Sequence, residues 1–280
     1  MMPSNRMILV LGCGPAGLIA AHAIREEFGF NVTIISKKRR SQLFGCQYLH
    51  EPIPGDWWSA DGGHPVMVDY QLVGTAEGYA RKVYGEDPPG QVSPQLFTGK
   101  RPAWDIRATY RGLWERFKYS IVDYEIDARD IEIMSDFYRA DFTISSIPAR
   151  VLCTQRAKHE FKSVPCWAIG DAPGQEAPRI APDNTVICDG TSDHGYYRAS
   201  NVFGYSTVEW PGIRKTPPVE GVVQFEKPIS TNCDCFRGVH RVGRMGTWTK
   251  GVLAHQVYSS TRNWIQAQLD YGQEEAAADE

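Results

Sequence analysis

No apolar stretch in this 280-residue chain approaches the roughly 20 residues needed to span a bilayer. Nor does a basic, then apolar, then cleavage-site layout open it, because the first apolar run already reads as a strand. Membrane partners are therefore not expected, and a cytoplasmic location is. Neither charge sign dominates: 30 Lys and Arg face 33 Asp and Glu, a net of −3. Five of the acids fall in residues 270–280 (DYGQEEAAADE), which hold no Lys or Arg, so the remainder has 28 acids against 30 bases. That segment is expected to be a disordered, solvating tail. With the body so nearly neutral, composition does not select nucleic acid as a partner.

A disulfide framework is also missing. The seven cysteines (Cys13, Cys46, Cys153, Cys166, Cys188, Cys233 and Cys235) are odd in number and scattered, as reduced thiols are. Cys233-Asp234-Cys235 is the one close pair. It has no second pair and no His at zinc-ligand spacing in the sequence, so no metal site is expected. Internal repeats are lacking, and outside the tail there is no low-complexity segment. With 42% hydrophobic and 22% charged residues the composition is that of a globular protein, and the length suffices for one large or two interleaved domains.

What is present starts at Met7–Ala23, MILVLGCGPAGLIAAHA: an apolar strand, a turn through Gly12-Cys13-Gly14-Pro15-Ala16-Gly17, then an Ala-rich helix. In this context the three glycines have separate physical tasks. Gly12 permits the tight turn, Gly14 lets a pyrophosphate approach the backbone, and Gly17 lets the helix pack on the sheet. Pro15 and Ala16 open the helix, whose free N–H groups and positive dipole end suit phosphate. Asn31–Ser36 reads as the second strand. It ends on Ser36, where a ribose-binding acid is usual, and Lys37-Lys38-Arg39-Arg40 follows. Serine with basic neighbours also suits a 2′-phosphate, hence NADP, although a two-nucleotide reductase would normally carry a second fingerprint.

Farther on, Ala76–Tyr84 reads as a short helix, Ile106–Tyr119 as an amphipathic helix of a cap, and Ala140–Leu152 as a strand. Val164–Ala168, Thr185–Cys188, Tyr197–Trp210 and Gly221–Phe225 read as further strands, and His255–Leu269 as a last helix. Residues 42–74 and 91–103 show no clear period.

Three segments, in order, resemble the flavoprotein superfamily of UDP-galactopyranose mutase and the amine oxidases: GCGPAGLIAAHA, Asp141–Leu152 (DFTISSIPARVL) and Arg241–His255 (RVGRMGTWTKGVLAH). The chain looks like a shortened, divergent member. The resemblance implies an α/β fold with a discontinuous Rossmann-type FAD-binding domain (1–50, 119–165 and 236–269) and a smaller α+β substrate or cap domain (51–118 and 166–235). It also implies FAD as cofactor, with Gly243, Arg244, Gly246 and Trp248 in the closing flavin segment and a helix from about Gly251 facing the flavin. Cys166–Gly174 (CWAIGDAPG) resembles the Gly-Asp flavin segment of disulfide-reductase-like flavoproteins, which makes Asp171 the rival. Mutase-like proteins place an Arg where Arg198 stands. With Tyr197 and His194 it forms the expected catalytic set, with Glu209 as a further acid or base.

These expectations name an FAD-dependent oxidoreductase that transfers hydride to flavin N5 from a small or nucleotide-linked substrate. Three further functions compete with it: a mutase-like isomerase of a sugar nucleotide, a flavoenzyme tailoring a modified nucleic-acid base, and a non-catalytic dinucleotide-binding protein. Arg237 and Arg241 with the 37–40 run are all that speaks for nucleic acid, and charge alone says little.

Overall fold

The computed structural model describes residues 6–37, 43, 48–55, 64–86, 93–171, 176–213, 217–235 and 238–278. Lys38, Arg39, Arg40, Cys46 and Arg237 lie outside them.

β1 (Met7–Leu11) is apolar throughout and buried over its last four residues. A run without alternation suits a strand covered on both faces. It is the centre of a five-stranded parallel sheet, with β2 (Asn31–Ser36) and then β5 (Ile121–Asp123) on one side. On the other side lie β6 (Phe142–Ser145) and β12 (Val239–Arg241). α1 (Pro15–Phe28) starts with Pro in its first turn and ends at Gly29, whose φ of 66° lets its N–H turn back to the Arg25 carbonyl. This strand–turn–helix–strand unit is the Rossmann-type core, and the expected α/β class stands.

The second unit is a seven-stranded mixed sheet. Its order is β11 (Val223–Thr231), β7 (Phe161–Gly170), β10 (Tyr205–Pro211), β9 (Arg198–Val202), β8 (Thr185–Asp189), β3 (Val66–Val73) and β4 (Gly99–Ala103). β3 and β8 run parallel and the other neighbours antiparallel. α2 (Ala76–Tyr84) lays Tyr79 and Val83 onto it, over Val68, Val186 and Tyr197. The chain passes between the two sheets four times, after β2, β4, β6 and β11.

Several expectations are corrected. α3 (Ile106–Phe117) is not a cap helix. Asp105 caps it through the Arg107 and Ala108 N–H groups, and Ile106, Tyr110, Leu113 and Phe117 pack in one core with Ile8, Val10 and Leu18. Its apolar stripe matches α1 rather than the second sheet. The stretch Ala140–Leu152 is a strand only over Phe142–Ser145, because Pro148 turns the chain into the short α5 (Ala149–Leu152). β3 and β4 form where the sequence shows no period, since each is only partly buried. As far as Ala278 the acidic segment is helical rather than disordered, as the end of α7 (Gln256–Ala278), its Ala, Glu and Gln favouring helix. α4 (Asp130–Tyr138) precedes β6, and the segment expected to close the flavin site forms the short α6 (Gly243–Thr247); the helix expected from about Gly251 begins only at Gln256. No helix among the described residues is long and apolar enough to cross a membrane.

The glycines of the first turn differ in what surrounds them. A Cβ on Gly17 would stand 1.8 Å from the Gly12 carbonyl oxygen, whereas one on Gly14, in extended backbone, meets nothing within 4 Å. Gly17→Ala is expected to cost about 1–3 kcal/mol or more in urea unfolding, the range for overpacking. Gly14→Ala should unfold within about 0.5 kcal/mol of the parent, as an uncrowded substitution does.

Candidate active site

The strands of the parallel sheet end on one edge, and past that edge lies a cavity of about 830 Å³ between the two sheets. Gly12–Ala16 after β1, Ser36 and Lys37 at the end of β2, Ser146–Pro148 after β6 and Gly243–Met245 after β12 form one wall. Arg198, Glu209 and Phe225–Pro228 of the second sheet form the other. This is the crevice beyond the carboxyl ends of parallel strands in which open α/β sheets hold ligands.

At the end beside the glycine turn, Gly12 has a φ of 97° and its N–H bonds to the Ile35 carbonyl at 2.8 Å, which turns the chain toward α1. Gly14 begins the helix without a side-chain cap, and no acid lies in the first turn. Among the described residues no side chain caps the start of α1, which lies on the cavity beside a glycine with open space over it. These features fit a pyrophosphate. Tyr110 of α3 donates to the Cys13 carbonyl at 2.9 Å and braces the turn from behind. Gly243 comes so close that an added Cβ would be 2.6 Å from the Ala16 Cβ.

Ser36 donates to the Lys37 carbonyl at 3.2 Å, and Lys37 pairs with Glu125 at 2.6 Å. Glu125 also lines the cavity. A carboxylate thus stands beside the end of β2, brought there from just past β5, which pairs with β2 through Ser36 and Asp123. Sequence reasoning missed it because the signal lies in strand order, and with Lys37 already paired to it the case for a 2′-phosphate weakens.

At the opposite end Glu209 is buried, with Tyr197, Lys227 and Arg198 around it. Tyr197 donates to its Oε2 at 2.7 Å, Lys227 pairs with the same oxygen, and Arg198 bonds Oε1 through Nε (3.2 Å) and a terminal nitrogen. Burial alone would raise the Glu209 pKa, but the cations Arg198 and Lys227 and the hydrogen bonds from Lys227 and Tyr197 outweigh it and hold it well below the usual carboxylate range. Burial lowers Lys227, against the pull of Glu209. Arg244 adds a third cation: it donates to the Pro228 carbonyl at 3.3 Å, and its buried Nε has no hydrogen-bond partner among the described residues. Glu226, also on the wall, pairs with Arg150. The inner end therefore holds more cations than carboxylates and suits an anionic group.

The expected site residues divide. Gly12, Gly14, Pro15, Ala16, Ser36, Lys37, Gly243, Arg244 and Arg198 are brought together on the cavity. Gly17 and Gly246 stand behind it, packed on the Gly12 and Ser145 carbonyls. Trp248 is fully buried, edge-on to Phe161, with its indole N–H on the Lys162 carbonyl at 3.0 Å, and reads as core. Tyr197 lies behind Glu209, where it positions the carboxylate. His194 is not on the cavity: it is half-exposed and 2.6 Å from Asp189, in a cluster with Lys82. Asp171 ties the loop at Ala177 to β10 by accepting from the Ala177 and Ser206 N–H groups, away from the cavity wall. His50, not foreseen, lines the cavity beside Tyr48. Burial first, then the nearby His255 and Arg101, lowers its pKa and keeps its imidazole neutral at pH 7.

Reduced UDP-galactopyranose mutase resembles this structure with a TM-score of 0.57 and 11% identity, over 95% of this chain and 94% of that one. This chain has the UDP-galactopyranose mutase fold. A tetrameric 2-methyl-3-hydroxypyridine-5-carboxylic acid oxygenase matches at a TM-score of 0.53 and 14% identity, over 92% of this chain and 80% of the other. The tryptophan 5-halogenase MibH matches at 0.52 and 12%, over 95% and 67%. No protein-family model and no curated protein matches the sequence. The mutase fold is thus recognisable in the architecture at an identity where whole-sequence similarity has faded.

Glu209→Gln would leave Arg198 and Lys227 buried without their counter-charge, and should cost about 3–5 kcal/mol in urea unfolding at pH 7. Because the folded pKa lies below the usual 4.5, this carboxylate stabilises the fold fully above that value. Its contribution is lost only as pH falls toward the folded pKa. The gap between parent and variant, followed from pH 7 to pH 3, should therefore narrow only in acid.

Proposed function

We propose that this chain is an FAD-dependent enzyme, an oxidoreductase that takes hydride from an anionic small or nucleotide-linked substrate onto flavin N5. One observation carries the reading: a single cavity joins an open glycine turn under an uncapped helix start to a buried, cation-rich cluster. A dinucleotide of FAD's length needs both ends. Gly14, Ala16 and the start of α1 would hold the pyrophosphate, Glu125 and Ser36 the ribose hydroxyls, and Gly243 and Arg244 the side of the flavin. The flavin, when bound, supplies the hydride acceptor.

The chain's own residues do the rest. Arg198 is held by Glu209 with its side chain at the cavity wall, so it meets an anionic substrate group already oriented. Lys227, fixed between Tyr197 and Glu209, adds positive potential without reaching out. His50, neutral and on the wall, is able to accept a substrate proton as hydride leaves. Tyr48 and Tyr70, whose hydroxyls share a hydrogen bond, supply flat polar surface above it.

A second reading is isomerisation of a sugar nucleotide. The mutase is matched over nearly the full length of both chains, which favours isomerisation over base tailoring and over a non-catalytic role. Incubation of the reduced protein with UDP-galactopyranose distinguishes isomerase from oxidoreductase: a furanose product selects the isomerase.

The purified protein should show a flavin absorption spectrum and release a compound with the mass of FAD on denaturation. A colourless protein that releases none and binds NADPH overturns the assignment. Gly14→Ala, folded as the parent, should lose most of its flavin because its Cβ occupies the space left for the pyrophosphate. Glu125→Ala should bind FAD roughly tenfold or more weakly in a fluorescence titration, as loss of a charge-assisted hydrogen bond does.

A further inference from the structure

Two cysteines separated from their partners by some eighty residues of sequence meet at one point beside the sheets. Cys153 follows α5, and His159 comes two residues before β7. Cys233 and Cys235 lie between β11 and β12. One ligand atom from each of these four residues falls within 4.8 Å of the others. Cys153 Sγ and Cys235 Sγ are 3.8 Å apart, and His159 Nδ1 is 3.3 Å from the first and 3.4 Å from the second. A tetrahedral ion with metal–sulfur bonds of about 2.3 Å and metal–nitrogen bonds of about 2.0–2.1 Å requires about 3.8 Å between sulfurs and about 3.5 Å between sulfur and nitrogen.

We propose that Cys153, His159, Cys233 and Cys235 bind one structural zinc ion, which fastens together two of the chain's crossings between the sheets. Sequence spacing offers no partner for Cys233-Asp234-Cys235, because the other two ligands are brought in by the fold. β7 and β11 pair as far as Phe161 and Thr231, and the four ligands stand just beyond that end of the ladder.

The surroundings are those of a metal site. His159 turns Nδ1 to the sulfurs and sets Nε2 3.3 Å from the Asp234 carboxylate. That contact favours the tautomer with its proton on Nε2 and frees the Nδ1 lone pair for an ion, the usual arrangement behind a ligating histidine. Thr154 donates to Cys235 Sγ at 3.4 Å. Cys153 and Cys233 are buried, while His159 and Cys235 are partly exposed, and Cys235 borders an open groove of about 530 Å³ that also holds Glu132 and Asp136. An ion thus has a path in, past two carboxylates. Three thiolates and one imidazole, all four places taken by protein, make a closed set of soft ligands, which selects zinc in a structural role. A disulfide between Cys153 and Cys235 would use two of the sulfurs and give the converging imidazole nothing to do. The crossings lead directly to Ser146–Pro148 and Gly243–Met245, so the ion would steady two segments of the cavity wall whatever ligand that cavity takes.

The test begins with the unaltered, untagged protein, purified without chelator. Elemental analysis should find about one zinc per chain. After exchange of the metal, cobalt should give the thiolate charge-transfer and d–d bands of tetrahedral coordination. Cys235→Ser and His159→Ala should each hold zinc at least about tenfold more weakly against a competing chelator. His159→Cys, which keeps four ligands, should retain it, as should Cys188→Ser, which lies outside the cluster. Metal-free parent protein that is fully folded would overturn the proposal. So would a Cys153–Cys235 disulfide in the freshly isolated protein, or zinc content that the Cys235 and His159 substitutions leave unchanged.

Discussion

The architecture depends on how closely α1 approaches the turn that follows β1. At Gly17 the Gly12 carbonyl occupies the place a side chain would need, so helix and strand meet backbone to backbone. That contact aims the open end of α1 at the cavity and leaves Gly14 uncovered. Other segments converge on the same spot by the same means. Gly243 lies against Ala16, Gly246 against the Ser145 carbonyl, and Tyr110 holds the Cys13 carbonyl from the far side. Four stretches distant in sequence thus share one small volume, and the absence of side-chain atoms is what lets them do so.

The other end of the cavity rests on the opposite principle, since there side chains fill the space and charge decides their positions. Glu209 is an ionised carboxylate in a buried site, which is sustainable only because two cations and a tyrosine hydroxyl saturate it. In return it fixes Arg198 at the wall and removes Lys227 from solvent. The surplus of positive charge, with Arg244 beside it, lies where the second sheet faces the first. One side of the cavity is thus shaped by backbone dipoles and the other by ionised side chains.

Much of the first sheet was legible, because β1, the glycine turn and α1 are local patterns in which spacing alone dictates geometry. The cavity-lining glycines, Arg244 and Arg198 could be placed on the same grounds together with the family resemblance. Features that depend on strand order were not legible. Glu125 reaches the cavity only because β5 lies beside β2, Lys227 only because the second sheet closes over the first, and His50 through a segment tied at Leu49 to Trp104. The amphipathic pattern of α3 showed that it buries a face but not which sheet it covers. His194 was misplaced for a similar reason: the strand boundary at Arg198 puts it in a turn beyond the edge of β9, where Asp189 takes it.

The four crossings between the sheets have a consequence for how the molecule comes into being. β12, near the end of the chain, completes the sheet that β1 begins, and the Tyr258 hydroxyl donates to Glu27 across 231 positions of sequence. β11 likewise adds the last strand to a sheet started by β3. Neither half can finish before most of the chain has left the ribosome, and neither can be cut away as a self-sufficient module. Closing loops this long costs entropy before contacts repay it, and strand edges that wait for late partners are the ones exposed to mispairing. The walls that the earliest residues begin are thus finished by late-arriving ones.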